Sequence, residues 1–173
     1  MTARFRMAGP DDAPALAALG RRTFIETFGH LYSREDLESF LTTHAEDGWR
    51  RELGSPEFAV RIAEVDGEAI TYAKIAPLKL PVETRRPAVE LRQFYIARPW
   101  QGKGLARPMM DWTLDEARRR GAREIYLSVW SENHRARRLY EGYGFRFVAP
   151  YAFMVGNQAD EDHILRLTLD ETP

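Results

Sequence analysis

A chain of 173 residues is long enough to bury a core and shape a small-molecule cleft within one domain. Hydrophobic and charged fractions of 44% and 29% are those of a soluble globular protein and exclude a disordered or membrane-spanning chain. With 25 basic against 26 acidic residues and no cysteine, neither nucleic acid nor an anionic membrane is expected as a partner, and disulfides, thiolate metal sites and a cysteine nucleophile are excluded.

The first predicted element is a short strand over Arg4-Phe5-Arg6-Met7, which lacks the apolar run of a signal peptide; a cytoplasmic protein is expected. The turn Gly9-Pro10-Asp11-Asp12 offers aspartates to cap a helix from about Asp12 to Phe28, where Leu16, Leu19, Thr23, Phe24 and Phe28 recur at helical spacing. After a break at Gly29-His30-Leu31-Tyr32, Ser33 caps a second helix marked by Leu37, Phe40 and Leu41, continuing with an interruption at Gly48 to Leu53. Residues 58–65 and 69–75 flank Asp66-Gly67 as a hairpin. A proline-rich connection, Leu78 to Pro87, leads to a buried strand over Val89 to Ala97.

A helix from Ala106 to Arg120 closes at Gly121, a strand covers Glu124 to Val129, and a helix covers Asn133 to Glu141. Strands over 145–148 and 164–169 complete an α/β single domain spanning 1–173, with a mixed, mostly antiparallel central sheet flanked by helices. Asp170-Glu171-Thr172-Pro173 reads as a polar tail. The acidic run Asp160-Glu161-Asp162 falls before the last strand, where such a run reads as a solvated loop or as an attractor of polycations. The four histidines form no metal-ligand spacing, so no metal is expected.

The segment that carries chemistry is Gln101-Gly102-Lys103-Gly104-Leu105-Ala106, between a strand and a helix. Glycines let the backbone approach an anion closely, and first-turn amides lack intrahelical partners, so the turn suits a phosphate. Glycine at such a turn also arises from chain reversal alone. Neither the P-loop nor the dinucleotide fingerprint fits: Ala97 stands where the first P-loop glycine belongs, and Arg107 where the third fingerprint glycine belongs. Pro108, early in the helix, removes no amide from residues 101–106.

Gln101, Gly104 and Ala106 match Gln/Arg-x-x-Gly-x-Gly/Ala, and the chain here resembles the GNAT superfamily of acetyltransferases. The stretch Val129 to Phe145 resembles that family too, with Asn133, Ala136, Tyr140 and Gly144-Phe145 at its spacing. The segment Thr23 to Gly29 and the turn before the final strand look like those of PaiA-type polyamine acetyltransferases. The resemblance implies the GNAT fold and an N-acetyltransferase that moves acetyl from acetyl-CoA directly to a primary amine of a polyamine, small metabolite or peptide. No metal takes part on this reading. A non-catalytic acyl-CoA sensor or interaction module is the rival. Homodimers are common among such enzymes, although no element here specifies an interface.

The resemblance assigns cofactor contacts to the backbone of Phe94, Tyr95 and Ile96, to Gln101, Gly102, Lys103, Gly104, Leu105 and Ala106, and to Asn133 and Arg137. Asn133 would equally serve as a helix N-cap, and Lys103 as a solvated surface charge. Tyr140, a phenol that is protonated at neutral pH, is the candidate donor to the departing thiolate. Glu90 occupies the strand position where the histone-acetylating branch of the family has its glutamate, and is the candidate base; its other reading is a salt-bridge partner of Arg92. Phe28, His30, Tyr32 and Trp130 are candidates to line the acceptor site, with hydrophobic packing the alternative for Phe28 and Trp130.

Overall fold

The computed structural model describes residues 2–42 and 45–170; the tail from Glu171 onward lies outside them. The elements are β1 (Arg4–Met7), α1 (Ala13–Phe28), α2 (Arg34–Leu41), α3 (Glu46–Leu53), β2 (Ala59–Val65), β3 (Glu68–Pro77), β4 (Ala88–Ile96), α4 (Ala106–Arg119), β5 (Glu124–Trp130), α5 (His134–Gly142), β6 (Arg146–Val155) and β7 (Gln158–Thr168). The seven strands form one sheet in the order β1-β2-β3-β4-β5-β7-β6, antiparallel throughout except at β4 and β5.

Alternate residues of a strand face opposite sides of a sheet, so each strand feeds two layers. On β3, Tyr72 packs with Leu16 and Trp49 of the α1 and α3 layer, while Ala73 joins Met109, Met110 and Phe145 of the α4 and α5 layer. Burying both faces of the central strands explains why β3 reads as a nearly continuous apolar run.

Three expectations are corrected. Asp12 does not cap α1 through its side chain: its carboxylate accepts from both terminal nitrogens of Arg6 at 2.8 and 2.9 Å and from the Gly9 amide at 2.8 Å. The Arg6 guanidinium is also the main reason the Asp12 pKa lies below its usual range. The helix expected over residues 33–53 is two helices, with Gly48 inside the second, and residues 43–44 lie outside the described ones. Finally, the last two strands are far longer than their apolar cores suggest. They pair from Arg146↔Arg166 to Val155↔Gln158, so Asp160, Glu161 and Asp162 lie in strand and not in a loop.

Two ties hold the elements that frame the site. Glu26, near the end of α1, accepts the Arg98 amide at 2.9 Å and offers its backbone carbonyl to the Arg98 guanidinium, joining α1 to the segment after β4. Asp36 of α2 accepts the Asn157 amide at 2.7 Å, docking the β6–β7 turn onto the start of α2.

Candidate active site

The site exists because β4 and β5 part. They pair only over Ala88–Glu90 against Glu124–Tyr126, and beyond that β4 turns away. A register shift on its other side, where Lys74 faces Gln93 but Ile75 faces Leu91, leaves Arg92 as an extra residue that bends the strand. Between the diverging strands opens a cavity of about 830 Å³, lined by residues 91–96 of β4 and 127–130 of β5. Its size is that of a small-molecule site.

At one end lies the turn from Gln101 into α4. Gly102 and Gly104 have φ of 73° and 80°, a backbone region that side-chain-bearing residues seldom adopt, and α4 begins at Ala106. A Cβ built on Gly104 would meet no atom within 4 Å, so the turn is not shaped by crowding from its own protein. Pro108 falls in the first turn of α4, where its missing N–H costs no intrahelical bond. Gln101 donates to the Ile96 carbonyl at 3.1 Å and accepts from Arg135 at 3.0 Å, so an arginine from α5 stands over this turn. The donor set of a helix start, two open glycines and a guanidinium fits a diphosphate.

Tyr140 and Asn133 line the middle of the cavity. Tyr140 is 8% exposed and packs edge-on to Phe145 with ring centres 5.7 Å apart. Burial, with a smaller contribution from Tyr95, pushes its pKa above the ordinary phenol value, so it holds its proton and can donate. Asn133 caps α5 by accepting the Ala136 amide at 3.3 Å, a structural role that leaves the side chain at the cavity wall. Phe94 and Tyr95 point to opposite layers, and both reach the cavity because it passes through the gap in the sheet.

The far end is aromatic and acidic. Phe24 sits 5.1 Å from Phe28 and 4.4 Å from Phe40 between ring centres, and Phe28 meets Trp130 edge-on at 6.0 Å. Into this wall project Asp160 and Asp162, two residues apart on one face of β7. The Tyr32 hydroxyl donates to Asp160, whose other oxygen accepts from Gln158 at 3.2 Å. Tyr32 is held protonated, its pKa raised first by burial and then by Asp160. Asp162 is 5% exposed, and burial, reinforced by the charge of Asp160, lifts its pKa to about 7; a hydrogen bond from Ser128 opposes the shift only in part.

Of the residues expected from sequence, Phe28, Tyr32, Trp130, Phe94, Tyr95, Ile96, Gln101, Gly102, Gly104, Leu105, Ala106, Asn133 and Tyr140 all line this cavity. Glu90, His30, Lys103 and Arg137 are not among its lining residues. Glu90 accepts the Lys79 amide and a nitrogen of Arg92, itself a cavity residue, each at 3.0 Å. His30 is exposed in a short helical turn, and Lys103 is exposed beside the glycines. Arg137 donates to the Ser131 carbonyl at 2.9 Å and pairs with Glu141 at 3.6 Å. Sequence reasoning does not single out Arg135, and it takes Asp160 and Asp162 only as part of an acidic run, a solvated loop or an attractor of polycations. Alternation through Asp160, Asp162 and Ile164, read as strand, would have put both carboxylates on one face.

The sequence profile of the Acetyltransferase (GNAT) family matches residues 21–145. An uncharacterized N-acetyltransferase of Lactobacillus delbrueckii subsp. lactis is 28% identical over 160 residues, covering 91% of this chain and 92% of its own. The PaiA N-acetyltransferase of Thermoplasma acidophilum, solved in complex with coenzyme A, shares the fold with a TM-score of 0.78 at 17% identity, over 98% of this chain and 100% of its own. The yncA protein of Salmonella typhimurium, solved with its cofactor acetyl-CoA, has a TM-score of 0.71 at 25% identity over 100% and 97%. The parted strands, the glycine turn and these likenesses converge: the chain belongs to the Acetyltransferase (GNAT) family and is an N-acetyltransferase that uses acetyl-CoA.

Proposed function

We propose that the enzyme transfers acetyl directly, within a ternary complex, to the primary amine of a small cationic acceptor whose body is apolar or polymethylene, a polyamine or a related metabolite or peptide amine. The observation that carries this reading is continuity: one cavity joins the Gln101–Ala106 turn, Tyr140 and the aromatic, acidic end. The turn and Arg135 hold the diphosphate of acetyl-CoA, which supplies the activated acetyl group. The exposed backbone of β4 at Phe94–Ile96 aligns the pantetheine arm, and Asn133 flanks it. Phe28, Tyr32 and Trp130 pack the acceptor, while Asp160 attracts its positive charge.

Tyr140 supplies the proton that leaves with sulfur, a role suited to a buried phenol held protonated. The whole described chain serves as one catalytic domain, working in the cytoplasm where acetyl-CoA is at hand. The test is thiol release from acetyl-CoA across a panel of amines. Saturable release with a cationic primary amine is expected, and Tyr140→Phe should lower kcat on the order of 100-fold while coenzyme A affinity changes little. Binding of coenzyme A without release by any amine would instead favour an acyl-CoA sensor.

A further inference from the structure

The amine that enters the cavity must lose a proton before its nitrogen can attack, since an alkylamine with a pKa of about 10.4 is charged at neutral pH. Glu90, the carboxylate expected for this task, is not among the cavity's lining residues and is committed to the Lys79 amide and the Arg92 guanidinium. From the position of the other buried carboxylates we infer that Asp162 is the catalytic base, taking the proton directly from the acceptor's ammonium; this rests on the amine-transfer reading above.

Three features of its placement support the role. Asp162 pairs in register with Trp130 at the last residue of β5, where the gap in the sheet is open, and lines the same cavity as the acceptor-wall residues Phe28, Tyr32 and Trp130 and as Tyr140 of α5. Its burial favours the neutral carboxylic acid, so it gains a proton readily from a bound cation and is still ionised in part at neutral pH. Its neighbour Asp160 is occupied by Tyr32 and Gln158, which fixes it as a counter-charge for the cation; Asp162, hydrogen-bonded by Ser128, is the more deeply buried of the two and is left to take the proton.

The groups that face Asp162 are Asp160 on its own strand, Ser128 and Trp130 on β5, Tyr151 as its register partner on β6, Tyr95 on β4, and Tyr32 between α1 and α2. Tyr95 is pushed up to about 12, by burial first and then by Asp162, and so holds its proton across the working range. Arg92, the cation on the β4 wall, is engaged by Glu90 and the Pro77 carbonyl.

The proton moves from the ammonium nitrogen to a carboxylate oxygen of Asp162 and from there to water. The freed lone pair forms the C–N bond to the acetyl carbon as the C–S bond breaks. The second surplus proton of the nitrogen replaces the one that Tyr140 gives to sulfur, so the products are an amide, a thiol and one proton released to solvent.

The test compares the intact enzyme with Asp162→Asn on two acceptors at several pH values: an alkylamine, charged at pH 7, and a hydrazide or aromatic amine, uncharged there. At pH 7 the substitution should lower kcat/KM on the order of 100-fold for the alkylamine and only about threefold for the uncharged acceptor, the first deficit shrinking as pH rises. Infrared or carbon NMR titration of the free protein should show a carboxyl group titrating near 7 that the variant lacks. Equal losses on both acceptors would overturn the role, as would a pH dependence that survives in Asp162→Asn but disappears in Glu90→Gln. Failure of the wild-type protein to acetylate any amine would overturn the amine-transfer reading and the base with it, whereas an unaffected Asp162→Asn variant would overturn the base alone.

Discussion

At the scale of single residues, the site is built from groups held in states they would not choose in water. Asp162 is the clearest case. Its folded pKa, about 7, lies above the ordinary 3.8, so folding favours the protonated form. Stability from this residue is therefore fully present below about pH 4 and is lost as the pH rises through 7, to at most about 4 kcal/mol. Asp162→Asn, which cannot ionise, should gain in Tm relative to wild type as the pH goes from 4 to 7, and the gain should level off above that. A difference independent of pH, measured by thermal unfolding, would show that the carboxylate is not buried in its charged state. Gly104 illustrates the same logic in the backbone. Alanine at its φ of 80° costs about 1–2 kcal/mol, so Gly104→Ala would let the free turn relax elsewhere, and coenzyme A would have to restore it. Affinity for coenzyme A should fall about tenfold with the Tm little changed, as read by calorimetry.

At the scale of elements, legibility followed burial pattern. The strand, turn and helix around Gln101–Ala106 were readable because glycine placement and helical spacing agree, and the structure begins α4 at Ala106, as expected. The β6–β7 hairpin was not. Its outer half alternates exposed and half-buried residues, with Pro150 on β6 and two aspartates on β7, so the apolar signal fades where the strands continue by pairing with each other. That is why the acidic run reads from sequence as a solvated loop or an attractor of polycations, with nothing to mark Asp162 as a buried carboxylate. Its position depends on the turn at Gly156 and Asn157. Gly156 has a φ of 58°, and a Cβ there would lie 2.4 Å from an Asp36 carboxylate oxygen and 2.6 Å from its Cα. Gly156→Ala should therefore cost about 1–3 kcal/mol and free the turn from α2. The expected kinetic result is a raised KM for the amine with unchanged affinity for coenzyme A; equal weakening of both ligands would contradict separate supports for the two ends.

At the scale of the molecule, the fold's contribution is a sheet that is continuous at one edge of the β4–β5 pair and open at the other. The bend at Arg92 could not be read from sequence, because nothing in residues 88–96 marks which residue will be left over when β3 pairs. The resulting gap lets one cavity communicate between the two layers, with the glycine turn at one end and the carboxylates at the other. α1 braces both ends, through Phe24 and Phe28 in the acceptor wall and through Glu26 on Arg98 after β4. Among the described residues no helix is long and apolar enough to cross a membrane. Whether the open end of this cavity holds a diphosphate is decided by calorimetric titration of the free enzyme with coenzyme A and, in parallel, with pantetheine, which lacks the nucleotide and its diphosphate. Saturable one-to-one binding of coenzyme A, with pantetheine weaker by a hundredfold or more in order of magnitude, is predicted from the donors of the turn and Arg135. Equal affinity for the two, or no binding of coenzyme A, would contradict it.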